Sequence, residues 1–194
     1  YICVTKVCST SINQAIRHLY HPEPRYHHMG IGELKSYYPD IDLSKYFKFA
    51  FVRNPWDRFV SLYNDFLNMR NGKDRIMNYS GLIQKEDTIY YRSNGFQDFC
   101  LKFAESEWVN EHHHRPQVDY LKINGDIAVD FVGRFENVEE DWGKVCGAIG
   151  VQISLGHARA SSGRKNYREY YEDKTRDCIA EVYKEDIKEF GYEF

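Results

Sequence analysis

Apolar residues are distributed along the chain in two alternating patterns, one typical of buried strands and one typical of helices. Short, mostly apolar runs occupy residues 1–4, 47–52 and 129–135, as expected for strands covered on both faces of a sheet. Helical spacing of apolar residues is found over residues 12–19, 56–67, 97–104, 142–149 and 173–189. Because strands alternate with helices, the pattern predicts an α/β fold with a central parallel sheet flanked by helices.

Two helix boundaries carry specific signals. Asn54 and Pro55 suit the N-cap and the first helical position after the second strand. Asn137 and Glu140 have the spacing of a capping box, before a helix that Gly150 is expected to close. The first two strands therefore each lead into a helix, and ligands of parallel sheets bind at the edge where the strands end.

Length and composition indicate a single domain that covers residues 1–194. The chain is 42% hydrophobic and 28% charged, which is ordinary for a soluble globular protein, and it has no repeat or linker. Its net charge of −3 gives no general attraction to nucleic acid. No apolar run approaches the ~20 residues of a membrane span. Since the chain begins inside an apolar run at Tyr1, we expect the true N-terminus to lie upstream, in residues that were either trimmed or not included in this sequence.

Cysteine and histidine usage predicts neither a disulfide framework nor a metal site. The five cysteines are odd in number and widely spaced, and they form no C-x-x-C pair, which favours a reducing compartment. The three consecutive histidines at 112–114 cannot readily converge on one ion from a helix or a strand.

The segment Lys6–Ser11 lies between the first strand and the first helix. A helix N-terminus offers unpaired N–H groups and a partial positive charge to a phosphate, and Lys6 adds a full charge. Three consecutive hydroxyl residues follow at 9–11, but the Walker A pattern is absent. On its own residues the segment is either an anion-binding loop of another kind or an N-cap cluster with a solvated lysine.

A second candidate for phosphate binding follows the second strand. Arg53 leaves the end of that strand, and its planar fork suits bidentate contact with a phosphate. Ser61 lies seven residues beyond Asn54, roughly two helical turns, and off the apolar stripe. Taken alone, this segment is explained more simply by an exposed arginine and a solvated serine.

Together these segments resemble those of the carbohydrate sulfotransferase family, which includes bacterial members and the heparan and chondroitin enzymes. Lys6–Ser11 resembles the family's 5′-phosphosulfate loop, and FAFVRNPWDRFVSLY (Phe49–Tyr63) resembles its 3′-phosphate motif. Further similarity lies at His113–Gln117, Asp130–Trp142 and Tyr167–Phe194, so it covers nearly the whole chain in order. The resemblance implies a P-loop-NTPase-like three-layer fold. It also implies transfer of a sulfuryl group from 3′-phosphoadenosine 5′-phosphosulfate (PAPS) to a hydroxyl, expected on a carbohydrate, without a metal.

The resemblance implies a donor site at the loop and the second strand. Lys6 would contact the bridging oxygen and neutralise the leaving nucleotide, and Arg53 with Ser61 would hold the 3′-phosphate, which distinguishes PAPS from ATP. One departure is that Thr5 and Cys8 replace the family's Pro and Gly, so Cys8 brings a Cβ where the backbone approaches phosphate closely. The donor-binding residues implied in this way are Lys6, Cys8, Ser9, Thr10, Ser11, Arg53, Ser61, Arg164 and Lys165.

The acceptor site is expected around two segments that contain histidines. A hydroxyl must lose its proton as it attacks sulfur, and histidine is a well-matched base near neutral pH. By its spacing to Glu33, His28 aligns with the family's acceptor-activating residue, and His27 and Glu33 are the alternatives. Irregular loops at 70–95 and 112–117 would shape a glycan groove. The substrate-binding residues expected here are Glu33, His113 and Arg115.

Two other functions remain open from the sequence. A P-loop kinase or NTPase lacks support because the Gly-Lys-[Ser/Thr] ending of its loop is missing. A non-catalytic nucleotide- or glycan-binding module on the same fold is favoured by the altered loop at Cys8. The expected location is the cytoplasm, or the Golgi lumen if an upstream anchor has been removed.

Overall fold

The computed structural model describes residues 1–17, 19, 28–70, 93–110, 113–156 and 165–194. These residues belong to two compact units: a first unit of Tyr1–Asn54 and His112–Gly163, and a second unit of Pro55–Glu111 and Arg164–Phe194. The expectation of a single domain over residues 1–194 stays a prediction.

Helices dominate the part of the chain that the structure describes. In chain order they are α1 (Ser9–Ile16), α2 (Ile31–Tyr37), α3 (Pro55–Arg70), α4 (Gly95–Ala104), α5 (Val118–Leu121), α6 (Val138–Ile149), α7 (Asp173–Val182) and α8 (Lys184–Phe190). The strands are β1 (Phe49–Val52), β2 (Lys122–Ile123), β3 (Asp126–Ile127) and β4 (Phe131–Arg134). None of the helices among these residues combines the length and apolar character needed to cross a bilayer.

The first unit is built on a short parallel pair of strands. β1 pairs with β4 in parallel, with Phe49 opposite Phe131, and all four residues of β1 are buried. The predicted strand at residues 1–4 is reduced to one parallel bridge, from Ile2 to Ala50. That segment leaves the ladder at once because the chain turns at Thr5 towards α1. An α/β fold with a parallel sheet is therefore confirmed, and the P-loop-NTPase-like three-layer arrangement stays a prediction.

The starts of the two helices with specific signals agree with the structure, but one capping interaction differs. α3 begins at Pro55 as expected, and Gly150 ends α6 in the left-handed conformation with φ 71°. The capping box at Asn137 is wrong, because the Asn137 side chain makes no cap hydrogen bond. Residues Phe135–Asn137 form a 3₁₀ turn instead, so the backbone is already helical when it enters α6.

The second unit packs helices around aromatic side chains. The predicted terminal helix over 173–189 is two helices in the structure, α7 and α8, which meet at Tyr183. Tyr183 has φ −111° and ψ 27°, outside the helical region, and its ring is buried in the same cluster as Phe59. Helical periodicity continues across such a break, which is why the sequence did not reveal it. The buried residues of the cluster are Trp56, Phe59, Leu62, Phe99, Cys100, Phe103, Ile179 and Tyr183.

Candidate active site

The loop before α1 has an unusual backbone. Lys6 and Cys8 both have positive φ angles, of 63° and 38°. Cys8 occupies the N-cap position of α1 without a side-chain cap hydrogen bond, and the first turn of α1 carries no acidic residue. The partial positive charge at the start of α1 is therefore not offset by a carboxylate of its own first turn.

Thr5 fixes the start of this loop to a distant segment. Its side chain is buried, and Oγ1 donates a hydrogen bond of 2.8 Å to the carbonyl oxygen of His113. The Thr5 hydroxyl also lies 3.5 Å from the Tyr120 hydroxyl. A proline at this position would have no hydroxyl to make the contact, so Thr5 attaches the loop to residues 113–117 through its own side chain.

Arg53 lies beside the loop and is held on several sides. Its Nη1 donates to the carbonyl oxygen of Lys6 at 3.2 Å. Its guanidinium carbon lies 4.1 Å from the centre of the Phe135 ring, a cation–π distance, and the residue is only 6% exposed. The structure thus brings Arg53 and the Lys6 loop together, as the shared edge of the sheet predicted.

Gln117 is a residue of this site that the sequence did not single out. Its Oε1 accepts from the backbone N–H of Arg53 at 2.9 Å, and its Nε2 donates to the Arg53 carbonyl at 2.8 Å. At the end of β1, the amide side chain therefore makes the pair of hydrogen bonds that the backbone of a neighbouring strand would otherwise make. Gln117 is fully buried. In the sequence, Gln117 was marked by its place in the segment His113–Gln117, which resembles a family segment. That resemblance does not say what the Gln117 side chain contacts.

Cys8 is a neutral thiol in this setting. Burial raises the pKa of the Cys8 thiol to about 12, and the nearby charge of Arg53 opposes the rise. At neutral pH, an anion at the start of α1 would therefore face no thiolate.

Cys8→Gly is expected to raise the free energy of unfolding by roughly 1 kcal/mol, since a left-handed residue with a Cβ is strained by about that amount. For a chain of this size the melting temperature should rise by about 2–4 °C, as measured by calorimetry. Cys8→Ala is the matched control, because it removes the thiol and keeps the Cβ. An equal rise in both variants would show that the backbone at Cys8 is not strained.

His28 is oriented through its Nδ1 atom. Nδ1 lies 3.2 Å from both the carbonyl oxygen and the Sγ of Cys3. Its ring meets the His113 ring edge-on, with centroids 5.1 Å apart. His28 itself has φ 71°, a left-handed conformation, immediately before the segment that enters α2. The structure therefore brings His28 and His113 together.

Glu33 and Arg115 form a bidentate ion pair next to His28. Arg115 Nη1 donates to Glu33 Oε1, and Nη2 donates to Glu33 Oε2, both at 2.7 Å. Arg115 Nη2 also lies 3.5 Å from the carbonyl oxygen of His28. The expectation that these two residues bind the acceptor stays a prediction.

The other predicted site residues fall into two groups. Ser61 lies half-buried on α3, and Lys165 is exposed before the 3₁₀ turn Tyr167–Tyr170; both belong to the second unit. His27, Arg164 and His112 lie outside the described residues, as does most of the expected groove segment 70–95. Within the described ranges, no group of three or more His, Cys, Asp or Glu side chains is placed to hold a metal ion.

The first unit thus defines an α/β protein with a basic loop before α1 and a buried arginine at the end of the neighbouring strand. A model of the sulfotransferase family matches residues 1–193, and the chain belongs to this family. The family resemblance found in the sequence is therefore confirmed.

Two relatives illustrate the similarity. Carbohydrate sulfotransferase 9 of Homo sapiens is 30% identical over 179 residues, which cover 82% of this chain and 40% of that protein. An uncharacterized protein of Archaeoglobus fulgidus is 29% identical over 125 residues, which cover 63% of this chain and 83% of that protein. The chain therefore spans less than half the length of the human relative. None of the solved structures matches the chain significantly.

Proposed function

We propose that the protein transfers a sulfuryl group from PAPS to a hydroxyl group of a carbohydrate acceptor. Membership of the sulfotransferase family and the similarity to a carbohydrate sulfotransferase support this reaction and this acceptor class. The observation that carries the proposal is the 3.2 Å hydrogen bond from Arg53 Nη1 to the carbonyl oxygen of Lys6. It holds the Arg53 guanidinium against the backbone of Lys6 just before α1, which supports the proposal that one nucleotide with a 5′-phosphosulfate and a 3′-phosphate contacts both side chains.

In this proposal the loop and the start of α1 hold the 5′-phosphosulfate. The N–H groups of residues 8–10 and the hydroxyls of Ser9, Thr10 and Ser11 donate to its oxygens. Lys6 contacts the oxygen that bridges phosphorus and sulfur. Arg53 binds the 3′-phosphate, because a guanidinium offers the paired N–H groups that a phosphate accepts.

His28 is proposed as the base that activates the acceptor. We assign the hydrogen to Nδ1 of His28, because the Cys3 carbonyl oxygen, 3.2 Å away, only accepts hydrogen bonds; in the other tautomer Nδ1 would accept from the Cys3 thiol instead. Nε2 then keeps its lone pair and is able to take a proton. An imidazole fixed by a carbonyl at one nitrogen is oriented for proton transfer at the other.

The transfer proceeds in line. The acceptor oxygen forms a bond to sulfur as the bond from sulfur to the bridging phosphate oxygen breaks, and that oxygen leaves with the electron pair on 3′-phosphoadenosine 5′-phosphate. The acceptor proton moves to His28 Nε2. Because the leaving group gains negative charge in the transition state, Lys6 and the N–H groups of α1 stabilise the transition state more than the ground state.

The direct test has two stages. Calorimetry should show that 3′-phosphoadenosine 5′-phosphate binds more tightly than ADP, because only the former carries the 3′-phosphate. A screen of glycan acceptors with ³⁵S-labelled PAPS should then yield a sulfated sugar. Preference for ADP or ATP would favour a kinase-like enzyme, and donor binding without transfer to any hydroxyl acceptor would favour a nucleotide-binding module.

Arg53→Lys should weaken the binding of 3′-phosphoadenosine 5′-phosphate by roughly 10- to 100-fold, as expected for the loss of a charge-assisted bidentate contact worth about 1.5–3 kcal/mol. Lysine keeps the positive charge but loses the fork. ADP affinity, measured in the same calorimeter, serves as the control and should change little. Normal affinity of the variant for 3′-phosphoadenosine 5′-phosphate would refute the assignment of Arg53 to the 3′-phosphate.

A further inference from the structure

The ion pair between Glu33 and Arg115 is fixed at both of its ends. The Arg115 guanidinium lies 4.1 Å over the ring of Tyr120, which is fully buried. Glu33 Oε2 also accepts a hydrogen bond from the backbone N–H of Gly30 at 2.6 Å. Burial alone would lower the pKa of Arg115, but the hydrogen bonds and charge of Glu33 outweigh it and raise the pKa above its ordinary value. Each partner of the pair therefore makes a further contact of its own, which an isolated surface ion pair lacks.

The Glu33–Arg115 ion pair contacts the turn at residues 28–30 on both sides. Arg115 Nη2 lies 3.5 Å from the His28 carbonyl oxygen, and Glu33 holds the N–H of Gly30, two residues later. Gly30 packs so closely on α5 that a Cβ would lie 3.0 Å from the Cα of Tyr120. His28 has φ 71°, a conformation that costs a non-glycine residue free energy and that its surroundings must maintain.

We infer that Arg115, with Glu33, is a positioning residue for His28: the ion pair holds the left-handed turn at His28 so that Nδ1 meets the Cys3 carbonyl and Nε2 faces the acceptor. This inference rests on the proposed function and deepens it. It gives Arg115 and Glu33 a different role from direct acceptor binding. The two terminal nitrogens of Arg115, Nη1 and Nη2, each donate to a Glu33 oxygen, so this fork is paired within the protein.

The segment that contains Arg115 also contacts the donor side through its other residues. Two residues before it, the His113 carbonyl accepts from Thr5 in the donor loop, and two residues after it, Gln117 holds the backbone of Arg53. One five-residue segment thus contacts the proposed base, the loop and the 3′-phosphate residue. The separation between base and donor is therefore set within this segment.

The test compares Arg115→Lys and Glu33→Gln with the unchanged protein. Lysine cannot make the paired bonds, and glutamine is isosteric but uncharged, so neither variant leaves a large cavity. We expect kcat to fall by about 10- to 100-fold in each, as is usual when a residue that orients a reacting group is altered. The acceptor KM and the affinity for 3′-phosphoadenosine 5′-phosphate should stay unchanged. The double variant should be no slower than the slower single variant, because the two side chains act as one unit.

Arg176→Lys is the matched control. Arg176 makes comparable bonds to Asp173 and Asp177 in the second unit, so the same substitution there removes an arginine fork far along the chain from His28. Its kcat should equal that of the unchanged protein. A loss of kcat in this control as large as in Arg115→Lys would overturn the inference, since any arginine pair would then have the same effect.

A readout that does not need turnover separates this inference from the proposed function. In protein labelled with ¹⁵N-histidine, the His28 imidazole signals should report hydrogen on Nδ1, and they should shift in Arg115→Lys and Glu33→Gln but not in Arg176→Lys. Unshifted His28 signals with a raised acceptor KM would overturn the inference and make Arg115 an acceptor-binding residue. Failure of the unchanged protein to bind 3′-phosphoadenosine 5′-phosphate would instead refute the proposed function, while the histidine signals still decide whether the pair orients His28.

Discussion

His28→Ala is expected to lower kcat by about 10²- to 10⁴-fold, the usual contribution of a general base, while the affinity for 3′-phosphoadenosine 5′-phosphate stays unchanged. The reason is that, with the hydrogen assigned to Nδ1, which lies 3.2 Å from the Cys3 carbonyl oxygen, Nε2 is the proposed acceptor of the hydroxyl proton. Steady-state rates with labelled PAPS measure the loss, and calorimetry measures donor affinity in the same preparation.

His28→Gln serves as the companion variant, because glutamine is polar and of similar length but does not accept a proton near neutral pH. It should be as slow as His28→Ala. Transfer at the normal rate in either variant would move the base to one of the two alternatives, His27 or Glu33. If Glu33 were the base, Glu33→Gln would remove transfer altogether instead of slowing it; if His27 were the base, it would not.

Lys6→Ala is expected to lower kcat by about 10²- to 10³-fold, comparable to the loss of one donor that stabilises charge in a transition state. In the proposal Lys6 neutralises the phosphate oxygen that leaves with the electron pair, so its effect belongs to the chemical step. The contact to Arg53 uses the backbone carbonyl of Lys6 and should survive the substitution. Single-turnover rates at saturating PAPS measure the chemical step without product release.

Lys6→Arg is the control that keeps the charge and should recover part of the rate. Lysine, alanine and arginine all carry a Cβ, so the backbone strain at φ 63° is the same in the unchanged protein and in both Lys6 variants. The melting temperature of each variant should therefore equal that of the unchanged protein. A normal rate of sulfuryl transfer in Lys6→Ala would exclude a role for Lys6 at the bridging oxygen. A normal rate with weakened binding would make Lys6 a donor-binding residue alone.

Local patterns in the sequence determined much of the fold. The apolar run before Arg53 became β1, Pro55 became the first residue of α3, and Gly150 ended α6 in the left-handed conformation. These features depend on residues that are neighbours in the chain, where side-chain periodicity and backbone preferences act directly. The same patterns placed Lys6 and Arg53 at the ends of adjacent parallel segments, and the structure brings them into contact.

Only the tertiary structure decided which side chains hold those residues. Gln117 bonds the backbone of Arg53 across 64 residues, and Arg115 bonds Glu33 across 82. Neither partner is marked by periodicity, since the contact depends on how distant segments pack. The early end of the first strand and the break at Tyr183 have the same origin, because an apolar or helical pattern continues through positions where the surrounding chain imposes a turn. Sequence determined the type of the segments with a clear apolar pattern, and long-range packing decided the geometry of the site.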